Sequence, residues 1–138
     1  MTESEWMEQF EECALPNGFF HHQDHARMAF LYLKKYPALE ALDRFSSALK
    51  RFATAQGKPN IYCETITWCY FLLIRERMAR ANSPQTWADF SAENTDLLCW
   101  KDNLLHKFYR PETLKSELGR RVFVFPDRLQ PDSTDGLQ

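Results

Sequence analysis

Residues 60–81 read NIYCETITWCYFLLIRERMARA. No Gly or Pro interrupts them, and residues 68–74 are apolar without a break. At helical spacing, Ile61, Thr65, Ile66, Cys69, Tyr70, Leu73 and Ile74 cover one side. Trp68, Phe71 and Leu72 cover much of the other. A helix that is apolar most of the way round must be surrounded by other elements, so this stretch predicts a central helix over 60–81. Its seven-residue apolar run is far below the ~20 residues a membrane-spanning helix needs, and no membrane association is expected.

Composition extends the same reading to the rest of the chain. Two Val and three Ile stand against sixteen Leu and twelve Ala, a balance that favours helix over strand. Residues 38–56 carry Ala41, Leu42, Phe45, Ala48, Leu49, Phe52 and Ala53 as a regular stripe, preceded by Pro37 and followed by Gly57 as a C-terminal cap. A Thr2-to-Glu5 capping box opens a first helix over 3–14. A second runs over 22–36 and stops before Pro37. Ser83-Pro84 predicts the start of a fifth helix over 84–93, and Arg110-Pro111 that of a short late one. Residues 122–125, VFVF, are β-like but have nothing to pair with, so extended packing against the bundle is expected. The 138 residues suit one domain. The expectation is an all-α fold: a single compact helical bundle of about five main helices over residues 1–130, with short C-terminal helices, an extended C-terminal segment and a disordered tail over 131–138.

A net charge of −2 gives no support for nucleic-acid binding. The charge is uneven. Residues 1–12 hold five Glu and no Lys or Arg, the wrong sign for a secretion leader, so a reducing cytoplasm and free thiols at Cys13, Cys63, Cys69 and Cys99 are expected. Residues 26–58 hold seven positive charges and two negative ones, either a solvated face or a docking surface for an acidic protein partner.

Chemistry concentrates at FHHQDH, residues 20–25, which holds three of the four His. His22 and His25 lie one helical turn apart on the face continued by Ala29, Leu33 and Tyr36, so both look into the bundle. An inward imidazole pair suits a transition metal, with a carboxylate supplied from another helix. Glu64 fits that role, as an acid one turn inside the most apolar helix, and it could equally act as a catalytic general base. Asp24 is either a helix cap or an acceptor for a histidine N–H. Two His and one carboxylate leave coordination positions open, as Zn-dependent hydrolases and non-haem Fe oxidases require. The competing reading is a non-enzymatic module that binds a protein or small molecule, with these residues structural. Trp87, Phe90, Trp100, Phe108 and Tyr109 would then form an exposed patch or complete a small core.

These stretches together (FHHQDH, AFLYL at 29–33, YCETITW at 62–68 and FVFPD at 123–127) resemble a family of small helical bacterial proteins with F-x-H-x-D-H, Y-H-E-T-x-T and F-V-x-P-D motifs. The resemblance spans about residues 19–127. It implies that His22, Asp24, His25, Glu64, Thr65 and Thr67 form a common site, with Asp24, Thr65 and Thr67 supporting the ligands. It implies no activity. Cys63 stands where the family has His, and its thiolate could replace that imidazole as a ligand for Zn, Cu or Fe.

Overall fold

The computed structural model describes residues 1–15, 21–99 and 104–128. Of these, 71% are helical and none lies in a strand, about twice the roughly one-third helix of an average globular protein. The helices are α1 (Glu3–Glu11), α2 (His22–Lys35), α3 (Ala38–Ala55), α4 (Glu64–Arg80), α5 (Trp87–Glu93), α6 (Pro111–Leu114) and α7 (Glu117–Arg121). Three 3-10 turns join them, at Pro59–Ile61, Thr95–Leu98 and Leu104–Lys107. The all-α bundle expected from the sequence is the fold observed.

Local chemistry explains most boundaries. Thr2 Oγ1 accepts the Glu5 N–H at 3.1 Å while Glu5 Oε1 accepts the Thr2 N–H at 3.3 Å, so the capping box forms. α1 stops three residues short of the expected end because Cys13 adopts φ 57°, a left-handed conformation that a helix cannot continue through. Gly57, at φ 75°, closes α3: its N–H bonds Thr54 O, and the next N–H, of Lys58, bonds Ala53 O.

Two starts differ from expectation. α4 begins at Glu64 rather than 60, because Pro59 opens a separate 3-10 turn and Tyr62 and Cys63 are extended. α5 begins at Trp87 rather than 84, because Thr86, not Ser83, supplies the cap by accepting the Asp89 N–H at 3.1 Å.

α4 packs against α2, α3 and α7, which makes it central. An aromatic chain ties the helices together. Phe10 of α1 lies 6.3 Å from Tyr32 of α2 and 5.9 Å from Phe45 of α3, and Phe45 lies 5.4 Å from Phe71 of α4. Such pairs add about 0.5–1.5 kcal/mol each beyond their buried area. Tyr32 donates its hydroxyl proton to Glu11 at 2.6 Å, and burial with that bond keeps it protonated.

The late aromatics divide. Phe90 and Tyr109 are fully buried, Trp87 and Phe108 half-buried, and Trp100 lies outside the described residues. The four described ones complete the core rather than form a patch. All four cysteines are free: Cys63 is buried, Cys13 and Cys69 are half-buried and Cys99 is exposed. No helix of the described residues is long and apolar enough to cross a membrane. The tail over 131–138 lies outside the described residues.

The extended segment 122–128 packs on α4 as a clasp. Thr65 is fully buried. Its hydroxyl donates toward Gly119 O at 2.7 Å and Val122 O at 2.9 Å, and accepts the Val124 N–H at 3.1 Å. Tyr109 donates to Val124 O at 2.6 Å, and Phe123 stacks on Trp68 at 5.5 Å.

Candidate functional site

A cavity of about 520 Å³ lies between α2, α3 and α4. Its origin is a mismatch in side-chain size. On α2, the face toward α3 and α4 carries Ala26 and Ala29, both buried, one turn beyond His22 and His25. Facing them, α3 presents Phe45, Leu49 and Phe52, and α4 presents Ile66, Tyr70 and Ile74. Each set recurs at three- or four-residue spacing, so each is one helical face. Small side chains opposite large ones, across three helices that cannot close further, leave space. The α3–α4 connection completes the wall with Gln56, Lys58, Ile61, Tyr62 and Cys63. Among the described wall residues only Lys58 and Ile61 are exposed, so the mouth lies beside them.

His22 is the first residue of α2, and its Nε2 lies 2.9 Å from the carbonyl oxygen of Leu97. A carbonyl can only accept, so Nε2 carries the proton. The ring also meets Tyr70 edge-on, with centroids 4.9 Å apart. The position of Leu97 is itself held by Arg77 of α4, which grips Asp96 through two bonds of 3.0 and 2.8 Å and Asn94 at 2.9 Å. An α4 arginine thus fixes the turn that fixes an α2 histidine.

Burial pushes the His25 imidazole down to about 4, and the neighbouring His22 and His21 add to the effect. Burial lowers His22 as well, against an opposing contribution from the Leu97 carbonyl. Both imidazoles are therefore neutral near neutral pH. The Tyr62 and Tyr70 hydroxyls and the Cys63 thiol are all pushed up by burial first, so they keep their protons. The polar part of the wall is uncharged apart from Lys58.

The other residues singled out from the sequence are distributed as follows. Thr67 and Cys63 line the cavity. Cys63 also directs its thiol toward Gly119 O at 3.4 Å. Thr65 faces away and secures the clasp. Asp24 caps α2, its Oδ2 accepting the His21 N–H at 2.8 Å. Glu64 does not line the cavity. Its carboxylate accepts a hydrogen bond from the Tyr62 hydroxyl, and it is the Tyr62 ring that lines the wall. As the first residue of α4, Glu64 also sits where the helix dipole favours negative charge. Among the described residues no group of three or more His, Cys, Asp and Glu is arranged to hold a metal ion.

Sequence reasoning found the histidine pair and placed Ala29 on its face and Tyr70 on the apolar side of the central helix, but it connected neither of them, nor Ala26 or Tyr62, with a cavity. The available signal was Ala26 and Ala29 on the histidine face, which the 3.6-residue period brings together and which no bulky residue fills.

Several charges of the basic stretch 26–58 also have contacts within the molecule, although six of its seven basic residues are exposed. Arg27 pairs with Glu3 at 3.6 Å and Arg44 with Glu40 at 2.9 Å, Lys34 donates to the Gln85 carbonyl, and Lys50 lies 5.4 Å over the Tyr62 ring. The chain matches no protein-family model, no curated protein and no solved structure, so the site rests on its own geometry.

Proposed function

We propose that this protein binds a small, mainly apolar molecule in the cavity between α2, α3 and α4. The observation that carries the reading is the cavity itself. Protein interiors hold few voids larger than a water molecule, whereas ligand sites run to roughly 300–1,000 Å³. A space of about 520 Å³ walled by aromatic and aliphatic side chains belongs to the second class. The neutral polar side chains His22, His25, Gln56, Tyr62, Thr67 and Tyr70 lie on α2, on α4 and on the α3–α4 connection, and supply hydrogen-bonding partners. That is the composition expected where apolar burial gives affinity and a few polar contacts give orientation.

The test is titration with the neutral, polarity-sensitive dye Nile red. The proposal expects saturable one-to-one binding, blue-shifted emission and a rise in Tm with dye concentration, since a ligand that binds only the folded state stabilises it. A weak, unsaturable fluorescence rise would overturn it.

A second reading keeps a transition metal (Zn, Fe or Cu) at His22 and His25, supported by the i, i+3 imidazole pair on the cavity wall. A hydrolase or oxidase activity would need that ion. Elemental analysis of untagged protein, repeated for His22→Ala, decides it: stoichiometric metal lost on substitution supports the metal, and none in either protein removes it.

A further inference from the structure

Resting on the reading of the cavity as a binding site, we infer that its ligand is an anionic amphiphile, with a single acidic head held at Lys58 and an apolar body directed inward. Lys58 is the one Lys or Arg among the described residues of the wall, and no Asp or Glu accompanies it there. Among the described residues its ammonium has no carboxylate partner in an ion pair, as holds for Lys34, Lys35 and Lys50, but Lys58 alone of these lines the cavity. The two acids nearest in sequence to the polar wall are committed elsewhere, Asp24 to the His21 N–H and Glu64 to the Tyr62 hydroxyl. Beside Lys58 at the mouth stands Ile61, a large apolar side chain left 68% exposed.

An exposed aliphatic next to an unpaired ammonium makes an amphipathic doorway. A molecule entering here leaves its charge in solvent at Lys58 and buries the rest. The backbone holds that doorway in place. Gly57 at φ 75° and the Lys58 N–H bond to Ala53 O, 2.9 Å, close α3 so that residue 58 is set against the cavity. Deeper in, the neutral imidazoles and hydroxyls carry no countercharge, and burying a full charge there would be costly. The head belongs at the mouth.

Decanoate and 1-decanol share a tail and differ in the head, and each is to be measured by displacement of Nile red at pH 8 and low salt. Lys58→Met keeps much of the stem and removes the charge, and Lys58→Glu inverts it. Both change an exposed residue, so folding should hold. The ratio of decanoate to decanol affinity should fall about fivefold in Lys58→Met, the upper range for an exposed ion pair, and further in Lys58→Glu. The ratio cancels any effect of the substitution common to both probes, and the wild-type ratio should shrink in high salt. If the dye and decanol bind but the ratio ignores residue 58, the head-group inference falls and the cavity reading stands. If none of the three probes binds, both fall.

Discussion

The clasp around Thr65 and the cavity beside His25 draw on the same short stretch, residues 62–67, and treat buried polar groups in opposite ways. On the clasp side, the Thr65 hydroxyl is surrounded by backbone partners: two carbonyls within 2.9 Å and one N–H at 3.1 Å. No space is left and no role beyond cohesion is implied. On the cavity side, Tyr62, Cys63 and Thr67 border a void shared with two imidazoles. Polar identity alone therefore does not mark a site. What separates the two regions is whether space lies beside the polar group, since His22 bonds the Leu97 carbonyl and Cys63 addresses that of Gly119 while both still border the cavity. The comparison predicts that the two sides respond differently to substitution, stability being lost on one and binding on the other.

The largest expected effect lies in the clasp. Thr65→Val keeps the shape of the side chain but removes the one proton shared between the Gly119 and Val122 carbonyls and the acceptor of the Val124 N–H. A buried unsatisfied group costs about 1–3 kcal/mol, so a loss of about 3 kcal/mol is expected in urea denaturation, with Nile red affinity of the folded protein unchanged. A loss below about 0.5 kcal/mol would dissolve the distinction between the two regions.

Acid should strike the cavity side next. The His25 imidazole titrates near 4 in the folded protein and at about 6.5 when unfolded. Between those values the unfolded chain binds the extra proton, so stability is complete above pH 6.5 and declines as pH falls toward 4. The slope approaches about 1.4 kcal/mol per pH unit, and His22 acts in the same direction. Comparing urea midpoints across that range for wild type and His25→Gln measures it, and the variant should show the flatter curve.

A smaller effect, again in the clasp, is expected at Gly119. A Cβ there would lie 2.5 Å from Thr113 O and 3.0 Å from Ser116 Oγ. Since backbone cannot yield as a side chain does, Gly119→Ala should cost about 1–3 kcal/mol by displacing the carbonyl that Thr65 and Cys63 address. Cavity binding should survive it.

How far the sequence led is best seen at residues 59–64. The stripe of α3, the stop before Pro37, the Thr2–Glu5 box and the Gly57 cap were legible, because each is set by local sterics or a hydrogen bond within a few residues. The start of α4 was not. Apolar periodicity continued back through Ile61, while Pro59 diverted the chain into a 3-10 turn that periodicity does not register. That shift of four residues changed the reading of Glu64. Placed one turn inside a helix it looked like a buried acid in need of a cation. As the first residue of α4 it is half-buried and bonded to Tyr62. The histidine pair was legible because i, i+3 spacing survives small boundary errors. The cavity was not, because empty space arises only when three helices meet and no residue in the sequence encodes it alone.

The central claim, that the space beside Ala26 and Ala29 is a binding site rather than a packing fault, is tested most directly by filling it. Ala29 is 3% exposed and faces the void, and Leu is nearly as good a helix former as Ala. Measured side by side, the Tm and Nile red affinity of Ala29→Leu should part company: Tm equal to wild type or higher, because a void is filled, and dye affinity reduced at least tenfold. A variant that binds the dye as wild type does, or that loses binding only in step with a lowered Tm, would contradict the account.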